Sequence, residues 1–247
     1  MRFLFRFLDV PFLPDKKVSH VLVPMNAGGK ITESLHMLGI IAVSSPYSPS
    51  LPEYLRYHPD MNCRHLGGNR FVVFKDAENL GPLLSLGAEL VFIDPPPEPK
   101  YPFDAALNVL PLGEKLVCNP LTADKELLTH FAGREIISVR QGYSACSVSV
   151  LGRSLVLTGD DGVSAKLEKA GIGVIRVNSA NIVLEGCGNG FIGGSSGLLG
   201  PETICFTGDT AGVLSVDELL SRGFRAVCLD NGPMTDVGGI VPIMQVA

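Results

Sequence analysis

Concentrated positive charge is the first thing this 247-residue sequence lacks. Its formal net charge is −5, and no run of Lys or Arg stands out. A surface that tracks phosphates is therefore not expected, which sets aside nucleic-acid partners. Long apolar runs are missing too: no stretch approaches the ~18 residues that would cross a bilayer, so no membrane partner is expected. The N-terminal MRFLFRFLDVPFLP has an early Arg, but Arg6 and Asp9 interrupt it and no small-residue cleavage site follows. It reads as an apolar strand or arm packed on the domain. Cysteine pairs of the C-x-x-C type and zinc-type spacings are absent among Cys63, Cys118, Cys146, Cys187, Cys205 and Cys228. Cys118, Cys205 and Cys228 lie inside apolar strand-like runs, as buried thiols do. The expectation is a cytoplasmic protein with reduced cysteines, no metal and no cofactor.

What the sequence does have is core material. Hydrophobic residues make up 46% and charged residues 18%, a globular composition. It also has a repeat. Five segments share an apolar helix end, a Gly and a run of β-forming residues: SLHMLGIIAV, LLSLGAELVFI, LTHFAGREIISV, LEKAGIGVIRV and LLSRGFRAVCL. Their glycines, Gly39, Gly87, Gly133, Gly171 and Gly223, lie 48, 46, 38 and 52 residues apart. Glycine just past a helix C-terminus supplies the left-handed turn that leads into the next strand. Five such junctions at near-even spacing form an internal repeat.

Between the junctions a small polar residue opens an apolar stretch that passes through a Gly turn into a second strand. These residues are Asp60, Asp104, Ser144, Asn189 and Asp236, spaced 44, 40, 45 and 47 apart. For the fourth, the turn is read at Gly193–Gly194. Each unit is then strand, turn, strand, helix, strand. The fifth lacks its second half, and the N-terminal segment supplies it. The sequence thus predicts an α/β fold of five modules, approximately 44–94, 95–140, 141–178, 179–230, and 231–247 joined with 1–43. The predicted architecture is a single-domain, five-module α/β-propeller whose ring closes by pairing the two chain ends. Val18–Val23 and Ile240–Val246 should share one module, although Pro242 is awkward within a ladder. The alternative is an ordinary doubly wound α/β sheet, with about one strand per helix.

In a ring the five anchors would converge on an axial pocket. Grouped carboxylates raise one another's pKa unless a cation joins them. A guanidinium suits best, because its fork of donors matches carboxylates in pairs. Each anchor could equally be a turn residue that satisfies backbone groups. His58-Pro59-Asp60 couples a proton-transfer residue to an acid through a rigid Pro. His65 could face either side, while His20, His36 and His130 fall at strand or helix positions and read as structural. Gly188, Gly190 and Gly193 spell G-x-G-x-x-G, but Gly194, Gly197, Gly200 and Pro201 forbid the helix it should open, and no P-loop Lys is present. Cys187 is the candidate thiol nucleophile, or else structural.

The fivefold strand–turn–strand–helix–strand pattern, with polar residues aimed at an axis, resembles the pentein fold of the guanidino-group modifying enzymes. The motifs HPDMNCRHLGGNRFVVF and GFIGGSSGLLG resemble an uncharacterised, mostly clostridial bacterial family of that fold. The resemblance implies a Cys that attacks the guanidinium carbon, a His that shuttles protons and acids that hold the substrate nitrogens. His58 and Asp60 match the base and an acid, with Asp104, Ser144, Asn189 and Asp236 as further ligand-binding positions. The family's Cys follows a Gly-Gly turn near the C-terminus, where this chain reads Gly238-Gly239-Ile240-Val241. Three functions follow: a hydrolase or deiminase acting on guanidino C–N bonds, a non-catalytic binder of a small cationic molecule, or an interaction module like the ribosome anti-association factors that share the fold.

Overall fold

A computed structural model describes residues 5–7, 18–25, 27, 29–56, 58–98, 105–139, 148–151, 155–158, 161–176, 196–200, 202–207, 216–229 and 241–246. Among them lie five separate sheets of mixed parallel and antiparallel pairing, none closed on itself. That excludes the doubly wound alternative, which needs one continuous sheet.

Four sheets repeat one plan, antiparallel and then parallel. The first holds β4 (Cys63–Gly67), β5 (Arg70–Phe74), α4 (Gly81–Ser85) and β6 (Glu89–Ile93). The second holds β7 (Leu110–Leu112), β8 (Lys115–Cys118), α5 (Lys125–Thr129) and β9 (Glu135–Ser138). The third holds β10 (Val148–Val150), β11 (Leu155–Thr158), α6 (Asp161–Lys169) and β12 (Gly173–Arg176). The fourth holds β13 (Ser196–Gly200), β14 (Thr203–Thr207), a helix α7 (Val216–Ser221) and β15 (Arg225–Leu229).

The fifth sheet joins residues from both ends of the sequence. β1 (Phe5–Phe7), β16 (Val241–Val246), β2 (Val18–Val23) and β3 (Ile41–Ser44) lie in that order, with α1 (Gly29–Met37) between β2 and β3. The expected sharing of one sheet by Val18–Val23 and the C-terminal strand is thus observed. β16 is interior, with Pro242 opposite Val21, and its register shifts between Pro242 and Met244. That irregularity is how an interior ladder accommodates a residue with no N–H. β1 is the strand expected within the apolar N-terminal stretch.

The glycine junctions are alike in atomic detail. Gly39, Gly87, Gly171 and Gly223 have φ of 69°, 84°, 79° and 86°. At each, the glycine N–H bonds the carbonyl three residues back, and the next N–H bonds the carbonyl five back, as Ala88 bonds Leu83 at 3.2 Å. This is the paired C-terminal cap that satisfies the last helical carbonyls. Gly133 has φ of 90° but lies in a looser run of turns after α5.

The turn of the fourth sheet departs from expectation. β13 includes Gly197 and Gly200, and β14 is entered through Glu202 at φ 59°. The sequence reading at Gly193–Gly194, which lie outside the described residues, placed this turn too early. Glu202 itself carries no glycine signal, but the adjoining Gly200-Pro201 is a turn signal that the Gly-Gly pair outweighed.

Neighbouring sheets share apolar cores. β5 packs with β8, α5 and residues 105–109. β8 and β9 pack with β10, β11 and α6. β2 and β16 pack with β4, β5 and α4, and β2, β3 and α1 pack with β13, β14 and β15. β10 lies against β13.

Candidate functional site

Of the sequence-predicted site residues, the structure describes His58 and Asp60. Asp104, Ser144, Cys187, Asn189 and Asp236 lie outside the described residues. His58 and Asp60 flank Pro59 at the start of a one-turn helix, α3 (Pro59–Asn62). The expectation that Asp60 opens a strand is corrected: it sits one turn ahead of β4. Pro59 stands at the first helical position, where a missing N–H costs nothing. His58 is the N-cap in an extended conformation (φ −102°, ψ 105°), and its ring makes no cap bond. His58 is half-buried at the loop–helix junction, while Asp60 is 9% exposed.

Two side chains near Asp60 shape this segment. Arg64 is buried on β4. Its Nη2 donates to the Asp60 carbonyl at 2.8 Å and its Nε to the Leu107 carbonyl at 3.1 Å. Arg64 thus ties α3 to residues 105–109, just after Asp104. Asn108 reinforces the link, its Nδ2 lying 3.4 Å from Met61 Sδ. Asn62 has no exposed surface. Its Nδ2 reaches the carbonyls of Leu55 (2.8 Å), His58 (2.9 Å) and Arg56 (3.3 Å), and its Oδ1 accepts from Ser48 N at 2.8 Å. A helix, α2 (Glu53–Arg56), completes the loop, with Arg56 bonded to the carbonyls of Leu51 and Pro49. Sequence reasoning missed Asn62. Its signal was a lone amide between the apolar Met61 and Cys63, where a buried polar group must find partners.

Other titratable candidates lie on or at the ends of regular elements. His65 points inward: its Nε2 lies 2.8 Å from the Gly68 carbonyl and its ring stacks on Phe71 at 4.6 Å. His20, on β2, is buried 3.0 Å from Ser19 Oγ, and burial pushes its pKa down. His36 lies in the last turn of α1 and His130 caps α5. Cys63, Cys118 and Cys205 are buried thiols outside any disulfide, as expected for the latter two. Burial pushes Cys63 up to about 12, with Arg64 opposing, and Cys118 up to about 11. A thiol held neutral in this way is a poor nucleophile, although Cys63 lies three residues from Asp60. Among the described residues no group of three or more His, Cys, Asp or Glu could hold a metal, and no helix is long and apolar enough to cross a membrane.

Residues 22–241 match the model of the family described as "Family of unknown function (DUF6873)". The chain belongs to that family. No curated protein matches the sequence. Among solved structures, this family member is similar to SxtG, an amidinotransferase from Microseira wollei in the saxitoxin biosynthetic pathway. The two share 11% identity and a TM-score of 0.62, over 96% of this chain and 97% of that one. The inosamine-phosphate amidinotransferase StrB1 from Streptomyces griseus matches at 13% identity and a TM-score of 0.60, over 100% and 98% of the chains. DDAH from Pseudomonas aeruginosa, as a Cys-to-Ser variant complexed with citrulline, matches at 9% identity and 0.51, over 94% and 100%. These are pentein-fold, guanidino-modifying enzymes, so the family member has a mixed α/β, pentein-like fold. At such identities the likeness speaks to fold.

Proposed function

We propose that this family member binds a small guanidino-type cation at Asp60, in an acidic pocket on the axis of a five-module ring. The buried Asp60 carboxyl, in a fold shared with guanidino-modifying enzymes, is the observation that carries the reading. The ring is supported by the order in which the sheets share cores and by the sheet that joins residues from both ends of the sequence. The expected module boundaries near residues 44, 95, 141, 179 and 231 belong to the same proposal. Asp104, Ser144, Asn189 and Asp236 are the other axial positions it invokes.

Binding without turnover is favoured over deiminase or hydrolase chemistry. Gly238-Gly239 is followed by Ile240 rather than Cys, and Cys63 beside the site is buried with a raised pKa. The neighbours' activities keep turnover as the second reading, with Cys187 its nucleophile and His58 its base. In a thermal-shift titration, methylguanidinium, agmatine and arginine should stabilise the protein, by about 2.7 kcal/mol at a hundredfold excess over Kd. Asp60→Asn should weaken methylguanidinium by about thirtyfold, the cost of a lost charged hydrogen bond. Absence of stabilisation by any of the three sinks the binding reading. Release of ammonia or a citrulline-type product, abolished in Cys187→Ala, would replace it with the enzyme reading.

A further inference from the structure

Between β3 and β4 the described residues carry the one-turn helices α2 and α3 and little other regular structure. Backbone groups in such a loop must be satisfied by side chains, and those side chains set its shape. Following the bonds outward from Asn62, on the same helical turn as Asp60, leads to a carboxylate on another element. Asn62, two residues after Asp60, accepts from Ser48 N at 2.8 Å. Ser48 Oγ donates to Asp76, with both carboxylate oxygens at 2.8 Å. Ser50 N donates to Asp76 Oδ2 at 3.1 Å. Asp76 lies two residues past the end of β5, so it is anchored to the repeat rather than to the loop.

We propose that Asp76 is a positioning residue for the Asp60 site, acting through Ser48 and Asn62; this rests on the reading of Asp60 as a ligand-binding group. Every link has a fixed sense. An ionised carboxylate can only accept, so Ser48 must direct its hydroxyl proton to Asp76. Ser48 N–H then fixes which end of the Asn62 amide faces it. The Nδ2 end is left to hold the carbonyls of Leu55, Arg56 and His58. Burial alone would push the Asp76 carboxyl up, but the hydrogen bonds from Ser50 and Ser48 outweigh it and hold the group below its ordinary value. The charge is therefore present at neutral pH and strengthens each bond it accepts. Next to Asp76, Tyr47 and Glu78 pair as an isolated antiparallel bridge, and the Tyr47 hydroxyl donates to the Glu78 carboxylate. The loop is thus stapled to the end of β5 at two adjacent points. Sites carried on loops depend on such supporting bonds for their geometry.

The test is calorimetric titration with methylguanidinium of the full chain and its Asp76→Ala and Asp76→Asn variants, each also in an Asp60→Asn background. Asp76→Ala should weaken the probe about tenfold in the wild-type background and less than about twofold beside Asp60→Asn, because coupled residues are not additive. Asp76→Asn keeps the shape and one acceptor oxygen and should retain part of the affinity. A folded Asp76→Ala protein with unchanged affinity overturns the proposal, as does an equal loss in both backgrounds. If Asp76→Ala fails to fold, Ser48→Ala replaces it with the same expectation. If the wild type binds no methylguanidinium, the ligand reading falls, and amide hydrogen exchange decides the positioning role. Faster exchange in Asp76→Ala confined to residues 48–62 supports it; unchanged or uniformly faster exchange overturns it.

Discussion

Between β5 and β6 the chain is held by parallel pairing from Arg70↔Glu89 to Phe74↔Ile93, by the burial of Phe71, Val72, Val73 and Phe74, and by a glycine cap at Gly87. Between β3 and β4 it is held by Asn62, Ser48, Asp76 and Arg56, each reaching named backbone or side-chain partners. The first region recurs around the molecule, down to matching hydrogen bonds at Gly171 and Gly223. The contacts of the second run through individual polar side chains. Burial and backbone geometry build the repeat, and any apolar residue of fitting size serves there. Individual polar side chains build the segment that carries His58 and Asp60, where a change of one functional group alters the geometry.

The sharpest way to break this comparison is to empty the repeat. Phe71 has no exposed surface and stacks on His65, which in turn lies against the β4–β5 turn. Phe71→Ala should cost about 3–5 kcal/mol in denaturant unfolding, the range for a buried aromatic. The loss should be global, with loop and strands unfolding together. A cost near 1 kcal/mol would mean that the shared cores are looser than the buried residues indicate.

A smaller effect tests whether the repeat is a repeat in energy. Gly87, Gly171 and Gly223 all have positive φ, and an added Cβ at each meets nothing within 4 Å. Substitution by Ala therefore costs conformational strain alone, about 1–2 kcal/mol. Because the junctions share one geometry, the three costs should agree within about 0.5 kcal/mol, a typical tolerance for independent sites. Three widely different values would show that the junctions resemble one another in shape only.

The same contrast explains what the sequence could tell. Glycine junctions and apolar strands are legible because burial and φ restrict residue type at fixed intervals. Hence the five junctions, the strand–turn–strand–helix–strand units and the joining of Val18–Val23 to the C-terminal strand were all readable. The turn at Glu202 was not, because Gly193–Gly194 reads as a turn ahead of the Gly200-Pro201 turn signal. Nor was the bonding of Asn62, Ser48 and Asp76. Asn, Ser and Asp are ordinary loop residues, and their partners lie 14 and 28 positions apart in sequence. His58 and Asp60 were found as a motif, but the tie from Arg64 to Leu107 spans 43 positions and no pattern foretold it.

The smallest effect separates the two regions by acid. The folded Asp76 pKa lies below its ordinary 3.8, so the unfolded or undocked state takes up the proton first. Its contribution is complete above about pH 5 and is lost as the pH falls through the ordinary value toward the lowered one. His20, between β16 and β3 in the sheet that joins both sequence ends, titrates higher. Its folded pKa lies below 6.5, so stability there is full above that value and falls as the pH drops beneath it. Protection from amide exchange, measured relative to the intrinsic rate at each pH, should therefore fall first in the sheet holding His20, and in residues 48–62 only below about pH 4. Asp76→Ala should erase the lower step, and His20→Gln the upper one. If both regions lost protection across one shared window, the loop would be an extension of the repeat, rather than a separately fastened part in which the Asp76 carboxylate is one of the ties.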